Sequence, residues 1–106
     1  MTKLYDEFTV GVGVEQASSA CHRAIATIGW PVKEAGPDRI VPKIGVGLTR
    51  NPSKIEVLLT GAGDQTVVRL NGSILGIGPL QRGHLNAEMN RLRDEIEGAA
   101  REEGIR

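Results

Sequence analysis

Lys54-Ile55-Glu56-Val57-Leu58-Leu59-Thr60-Gly61-Ala62-Gly63-Asp64-Gln65-Thr66-Val67-Val68-Arg69-Leu70-Asn71 is the stretch on which the fold turns. Two runs rich in Ile, Val, Leu and Thr flank a turn built from Gly61, Ala62, Gly63 and Asp64, which is the pattern of a β-hairpin. Successive side chains of a strand face opposite ways. Ile55, Val57 and Leu59 therefore share one face, and Thr66, Val68 and Leu70 share the matching face of the partner strand. Glu56 and Arg69 point the other way, into solvent. A sheet with one apolar face must cover it, so the chain has to supply covers elsewhere.

Two segments have the helical period for that task. In residues 14–28, Ala17, Cys21, Ala24 and Ile28 recur at helical spacing, and Ala20 and Ile25 widen the stripe. These side chains are mostly small, so the helix can lie close to a sheet. Gly29 is the expected stop, and Pro31 prevents continuation. From about residue 80 to 101, Leu85, Met89, Leu92 and Ile96 step by four, three and four, while Glu88, Arg91, Arg93, Asp94, Glu95 and Glu97 occupy the other faces. Pro79 suits the first turn of this helix. Arg91 with Glu95 and Glu97 with Arg101 have the spacing of helical ion pairs. Gly98 and Gly104 predict a frayed tail from about residue 99.

The remaining strands are shorter signals. In residues 4–13, Phe8, Val10 and Val12 alternate with Glu7, Thr9 and Gly11, the two-residue period of a half-buried strand. Residues 30–35 and 39–48 read as a second hairpin joined by Gly36, Pro37 and Asp38, with Pro42 marking an edge or bulge. A loop over residues 49–53 leads into the central hairpin. Gly72, Gly76, Gly78 and Pro79 read as the end of its second strand and a crossover loop.

The expected order is β-α-β-β-β-β-α in residues 1–106, a single two-layer α+β domain with a five-stranded antiparallel sheet and both helices on one face. This order resembles the fold of TATA-box-binding domains and, with added strands, of the helix-grip (Bet v 1-like) proteins. The resemblance covers nearly the whole chain and is one of topology, without a signature motif. The composition is also similar to that of small uncharacterised bacterial proteins. Larger helix-grip relatives hold apolar ligands between the long helix and the sheet. By that resemblance a pocket here would be lined by Val57, Val68, Leu70, Leu85, Met89 and Leu92, with a lipid-like molecule as its ligand.

The totals exclude several function classes. At 106 residues, folding hides roughly two thirds of the open chain's surface, enough for a core without staples. The 13 basic and 13 acidic side chains balance, whereas a dedicated nucleic-acid binder carries a basic excess, so no nucleic-acid partner is expected. Tyr5, Phe8 and Trp30 are the only aromatics, a poor supply for base stacking. A single cysteine excludes an internal disulfide and fits a reducing compartment. No apolar run approaches the roughly 20 residues that span a bilayer, and residues 1–8 lack a signal-peptide core. The expected location is the cytoplasm.

Local motifs carry little chemistry. Gly11-Val12-Gly13 precedes a helix, as a dinucleotide fingerprint would, but Gln16 stands where the third glycine belongs. Cys21 and His22 are helical neighbours and do not share a face, so they are a poor catalytic or metal pair. No H-x-x-x-H or C-x-x-C spacing exists, and neither a metal nor a cofactor is expected. Gly78, Arg82 and His84, at the start of the long helix, form the best anion-site candidate. Leu58 and Val67 should lie on the open side of the sheet, joined by Ile40 or Val41, as a surface for a partner or a homodimer. The reading that results is a non-enzymatic binding or interaction domain using the open sheet face or an edge. The alternative is the apolar-ligand carrier. An enzyme would need two polar groups, from among Cys21, His22, His84, Arg69 and Asp64, to converge in a cleft.

Overall fold

The computed structural model describes residues 1–44 and 52–105. Five strands and two helices follow in the order β1 (Thr2–Val10), α1 (Val14–Ile28), β2 (Val32–Ala35), β3 (Arg39–Pro42), β4 (Ser53–Ala62), β5 (Gln65–Ile74) and α2 (Pro79–Ile105). The strands form one antiparallel sheet in the spatial order β1-β5-β4-β3-β2. The hairpin read first in the sequence is thus its centre, and β1 and β2 are its two edges. This is the α+β architecture expected.

In the central hairpin, Val57 pairs with Leu70, Leu59 with Val68 and Gly61 with Thr66. The ladder reaches Ala62 and Gln65, so only Gly63 and Asp64 form the loop. Gly63 has a φ of +69°, a conformation that glycine reaches without a Cβ clash and that matches tight hairpins to the strand twist. Ile55, Val57 and Leu59 of β4 and Val68, Leu70 and Ile74 of β5 point inward and are buried. They join Phe8 and Val10 of β1 and Ile40 of β3 in one core with Ala17, Ala20, Cys21, Ala24 and Ile25 of α1 and Leu85, Met89, Leu92 and Ile96 of α2. α2 lies against β1 and β5, and α1 against β4 and β5, with the two helices in contact.

α1 has the boundaries its periodicity predicts. Gly29 closes it at a φ of +97°, its N–H donating to the Ile25 and Ala26 carbonyls. β1 ends at Val10, before the expected residue 13, because the chain turns into α1. Val12 nevertheless stays buried, and its carbonyl accepts a bond from Thr66 Oγ1 at 2.8 Å. β3 ends at Pro42, which has no N–H to continue the ladder. The expected continuation fails at Lys43 and Ile44, which are not strand; the rest of it, with most of the expected loop before β4, falls on residues 45–51, outside the described residues, and β4 itself begins at Ser53.

Three expectations are corrected. Ile40 does not join the open face: its register partner is Val57, which turns it into the core, where it is fully buried. β5 continues through Gly72 to Ile74, because Gly72 pairs with Leu4 on one side and Ile55 on the other. A Cβ there would lie 2.5 Å from Met89 Sδ and 3.0 Å from Leu85 Cδ1. Finally, α2 does not fray from about residue 99 but runs to Ile105. Its last turns are held by Ala100, which is buried, and by Arg23 of α1, which bonds the carboxylates of both Glu102 and Glu103.

Candidate functional site

With both helices on one side, the other face of the sheet is open. Its residues are the odd positions of β1 and β5, the even positions of β4 and, from β3, Arg39 and Val41. They form cross-strand rows. Lys3 and Lys54 flank Ser73; Tyr5 and Glu56 flank Asn71; Glu7 and Leu58 flank Arg69; Thr9 and Thr60 flank Val67. Opposite charges pair across these rows. Arg69 Nε donates to Glu7 at 2.8 Å, and Arg39 bridges Glu34 of β2 and Glu56 of β4. Bonds from Arg39 and then from Asn71 hold the Glu56 carboxyl below the ordinary carboxylate range. Tyr5 stands in the middle of this polar field with 71% of its surface exposed. On one side of it is a depression of about 410 Å³ walled by Asp6, Glu7, Arg69 and Asn71. On the other is one of about 220 Å³ walled by Lys3, Lys54, Glu56, Asn71 and Ser73. Leu58 and Val67 lie on this face and are half-buried, Leu58 between Arg39 and Arg69 and Val67 between Thr9 and Thr60. Val41 is buried, outside the main core cluster.

The six residues of the expected pocket, Val57, Val68, Leu70, Leu85, Met89 and Leu92, meet between α2 and the sheet, and all are buried. These side chains pack in one cluster, and a carbon added at Gly72 would fall 2.5 Å from Met89 Sδ and 3.0 Å from Leu85 Cδ1.

At the start of α2, Gly78 has a φ of +115° and its carbonyl accepts the first helical bond from the Arg82 N–H at 3.1 Å. Arg82 is exposed, and His84 is half-buried. His84 Nδ1 and Gln81 Oε1 are buried atoms without a hydrogen-bond partner among the described residues. One turn on, Glu88 is buried and accepts a bond from Ser53 Oγ at 3.1 Å. Sequence reasoning missed what surrounds these groups: Leu75, Ile77 and Leu80 are exposed. The available signal was Leu75 and Ile77 in a glycine-rich loop, where apolar periodicity has no element to serve, with Leu80 in the first turn of α2 beside them.

The other candidates do not assemble. Cys21 is enclosed by the α1 face of the core, and burial pushes its thiol up to about 12, so it is no nucleophile at neutral pH. Thiol titration at pH 8 should find Cys21 unreactive in the folded protein and fully reactive in denaturant. Fast labelling of the folded chain would mean that the core opens there. His22 is half-buried on the adjoining face of α1, and Asp64 sits in the hairpin loop at the opposite end of the sheet from His84. The sheet around Gly11-Val12-Gly13 is antiparallel, which removes the βαβ unit a dinucleotide site needs. Among the described residues, no group of three His, Cys, Asp or Glu side chains is placed to hold a metal, and no helix is long and apolar enough to cross a membrane.

No family model matches the chain, and no curated protein matches it. Solved structures do resemble it. One is DynU16, from the dynemicin biosynthetic locus, with a TM-score of 0.67 and 16% identity over 90% of this chain; the match spans only 45% of that protein. Another is a protein from Nitrosospira multiformis, with a TM-score of 0.66 and 14% identity over 99% of this chain and 100% of that one. A third is Ara h 8.0201, a Bet v 1-like protein, with a TM-score of 0.55 and 11% identity over 93% of this chain and 97% of that one. At these identities the likeness is one of fold, and it accords with a helix-grip-like arrangement of sheet and long helix.

Proposed function

We propose that the chain is a non-enzymatic binding domain that recognises its partner through the open face of the sheet. The observation that supports this reading is the exposed Tyr5 between two depressions that share Tyr5 and Asn71. A tyrosine standing free of a surface offers contact area at low entropic cost together with a polar tip, the combination favoured at interface centres. The rows beside it carry both signs, Lys3, Lys54 and Arg69 against Glu7 and Glu56. A face that carries both signs allows opposite charges to meet under a two-fold axis, so a second copy of the chain is the simplest partner, with Leu58 and Val67 covered in the dimer. Size-exclusion chromatography with light scattering tests this. The expected result is a dimer at high concentration that Tyr5→Ala shifts to monomer without loss of helix or sheet signal. A strict monomer counts against it.

A second reading, the carrier of a small apolar ligand between α2 and the sheet, draws on the Bet v 1-like neighbour. It requires Leu85 and Met89 to move away from Gly72 to make room. A lipid-sized mass co-purifying under native mass spectrometry would favour it.

A further inference from the structure

The geometry points to a second binding surface, which borders the open sheet face at Lys3 and Lys54: the end of the molecule where α2 begins docks onto an anionic lipid interface. Leu75, Ile77 and Leu80 are 55%, 82% and 64% exposed, and Ile77 is the most exposed of them. The loop that carries Ile77 is pinned. The Leu75 N–H donates to the Pro52 carbonyl at 3.0 Å, and Thr2 Oγ1 donates to the Gly76 carbonyl at 2.9 Å. Gly76 and Gly78 take φ values of +97° and +115° on either side of Ile77, so the chain makes two left-handed turns that hold this side chain out at the tip. The apolar tip is therefore a built feature of the end of β5.

Charge says what covers it. The topology gathers the start of β1, the end of β3, the start of β4 and the start of α2 at this end. They bring Lys3, Lys43, Lys54 and Arg82, all exposed, while Glu88, the acidic side chain nearest in α2, is buried. The first turn of α2 has no acidic residue. A chain with zero net charge thus carries a cationic ring around an aliphatic tip, with its acidic excess elsewhere. Three aliphatic side chains are too few for a stable protein interface, which buries about 1,200–2,000 Å² in total. Shallow insertion of a few apolar side chains with basic residues at the level of the phosphates is how reversible binding to anionic membranes works. Arg82, expected from the sequence to meet an anion, then meets a lipid phosphate.

Vesicle co-sedimentation of the full chain tests this, using phosphatidylcholine with and without phosphatidylglycerol. The wild type should bind the anionic vesicles, bind neutral ones weakly, and lose binding as salt rises. Ile77→Asp should weaken binding about tenfold or more, and Lys43→Glu with Arg82→Glu should weaken it comparably. Because all three positions are exposed, circular dichroism should be unchanged. Three results overturn the inference: no binding to anionic vesicles, equal binding by the wild type and Ile77→Asp, or binding that inorganic phosphate abolishes and that depends on Arg82 but not Ile77. The last would mark a free-anion site. A wild-type dimer that Ile77→Asp dissociates, without vesicle binding, would make a second copy the occupant and also overturn it. A Tyr5→Ala variant that still binds vesicles separates this surface from the open sheet face.

Discussion

Gly72→Val should lower the stability of the domain by about 3 kcal/mol, and Gly72→Ala by about 1 kcal/mol. The backbone of Gly72 is ordinary strand, so a side chain is not excluded by conformation; it is excluded by α2. Its Cβ would fall 2.5 Å from Met89 Sδ and 3.0 Å from Leu85 Cδ1, both in the core. Alanine is the milder change because the sulfur lies toward the end of a flexible side chain and yields by rotation. Valine adds two carbons that must displace Leu85, which has no exposed surface to retreat into. For a domain of about this size each kcal/mol is roughly 4–8 °C in Tm, so thermal unfolding followed by circular dichroism resolves both variants. The mechanism has its own check. Adding Met89→Ala to Gly72→Ala should cost less than the sum of the two single changes, since shortening Met89 makes the room the new methyl needs. Additive costs, or a Gly72→Val protein as stable as the wild type, would mean that α2 does not sit against β5 as described.

Gly72 also shows where sequence reasoning reached its limit. The boundaries of α1 were legible because a run of small apolar residues at helical spacing stops at Gly29 and Pro31, all within one local stretch. The faces of β4 and β5 were legible because two-residue alternation is local as well. Gly72, by contrast, reads as a loop residue in its own neighbourhood, and only its pairing with Leu4 and Ile55 explains it as strand. Ile40 reads as a residue for either face, and only its register against Val57 sends it inward. The last turns of α2 contain Gly98 and Gly104, which lower local helix propensity. They persist because Arg23, some 80 residues earlier in the chain, grips Glu102 and Glu103. The same distance hid the candidate sites. Tyr5 stands beside Asn71 and Glu56 only through strand pairing. Lys3, Lys43, Lys54 and Arg82 form one cationic ring only once the sheet brings its strand ends together.

Leu92→Ala should cost about 2–5 kcal/mol, the range for emptying a fully buried leucine site, whereas Leu80→Ala, at an exposed position of the same helix, should change stability by less than about 0.5 kcal/mol. The deletion falls between α2 and the sheet, so it asks what that layer contains in this chain. Leu92 is surrounded by core side chains from both layers, and removing it leaves a cavity with apolar walls. Apolar cavities of that kind stay dry and accept small hydrocarbons. If the layer is filled by its own side chains, benzene should raise the Tm of Leu92→Ala and leave the wild type unchanged, because a ligand stabilises only the state that has a site for it. The proposed binding role through the open sheet face then needs no interior ligand. If benzene or a longer hydrocarbon stabilises the wild type as well, Leu85 and Met89 do move off Gly72 on demand, and the carrier reading replaces the filled one. A Leu92→Ala protein as stable as the wild type would contradict both, since each requires Leu92 to be packed between α2 and the sheet.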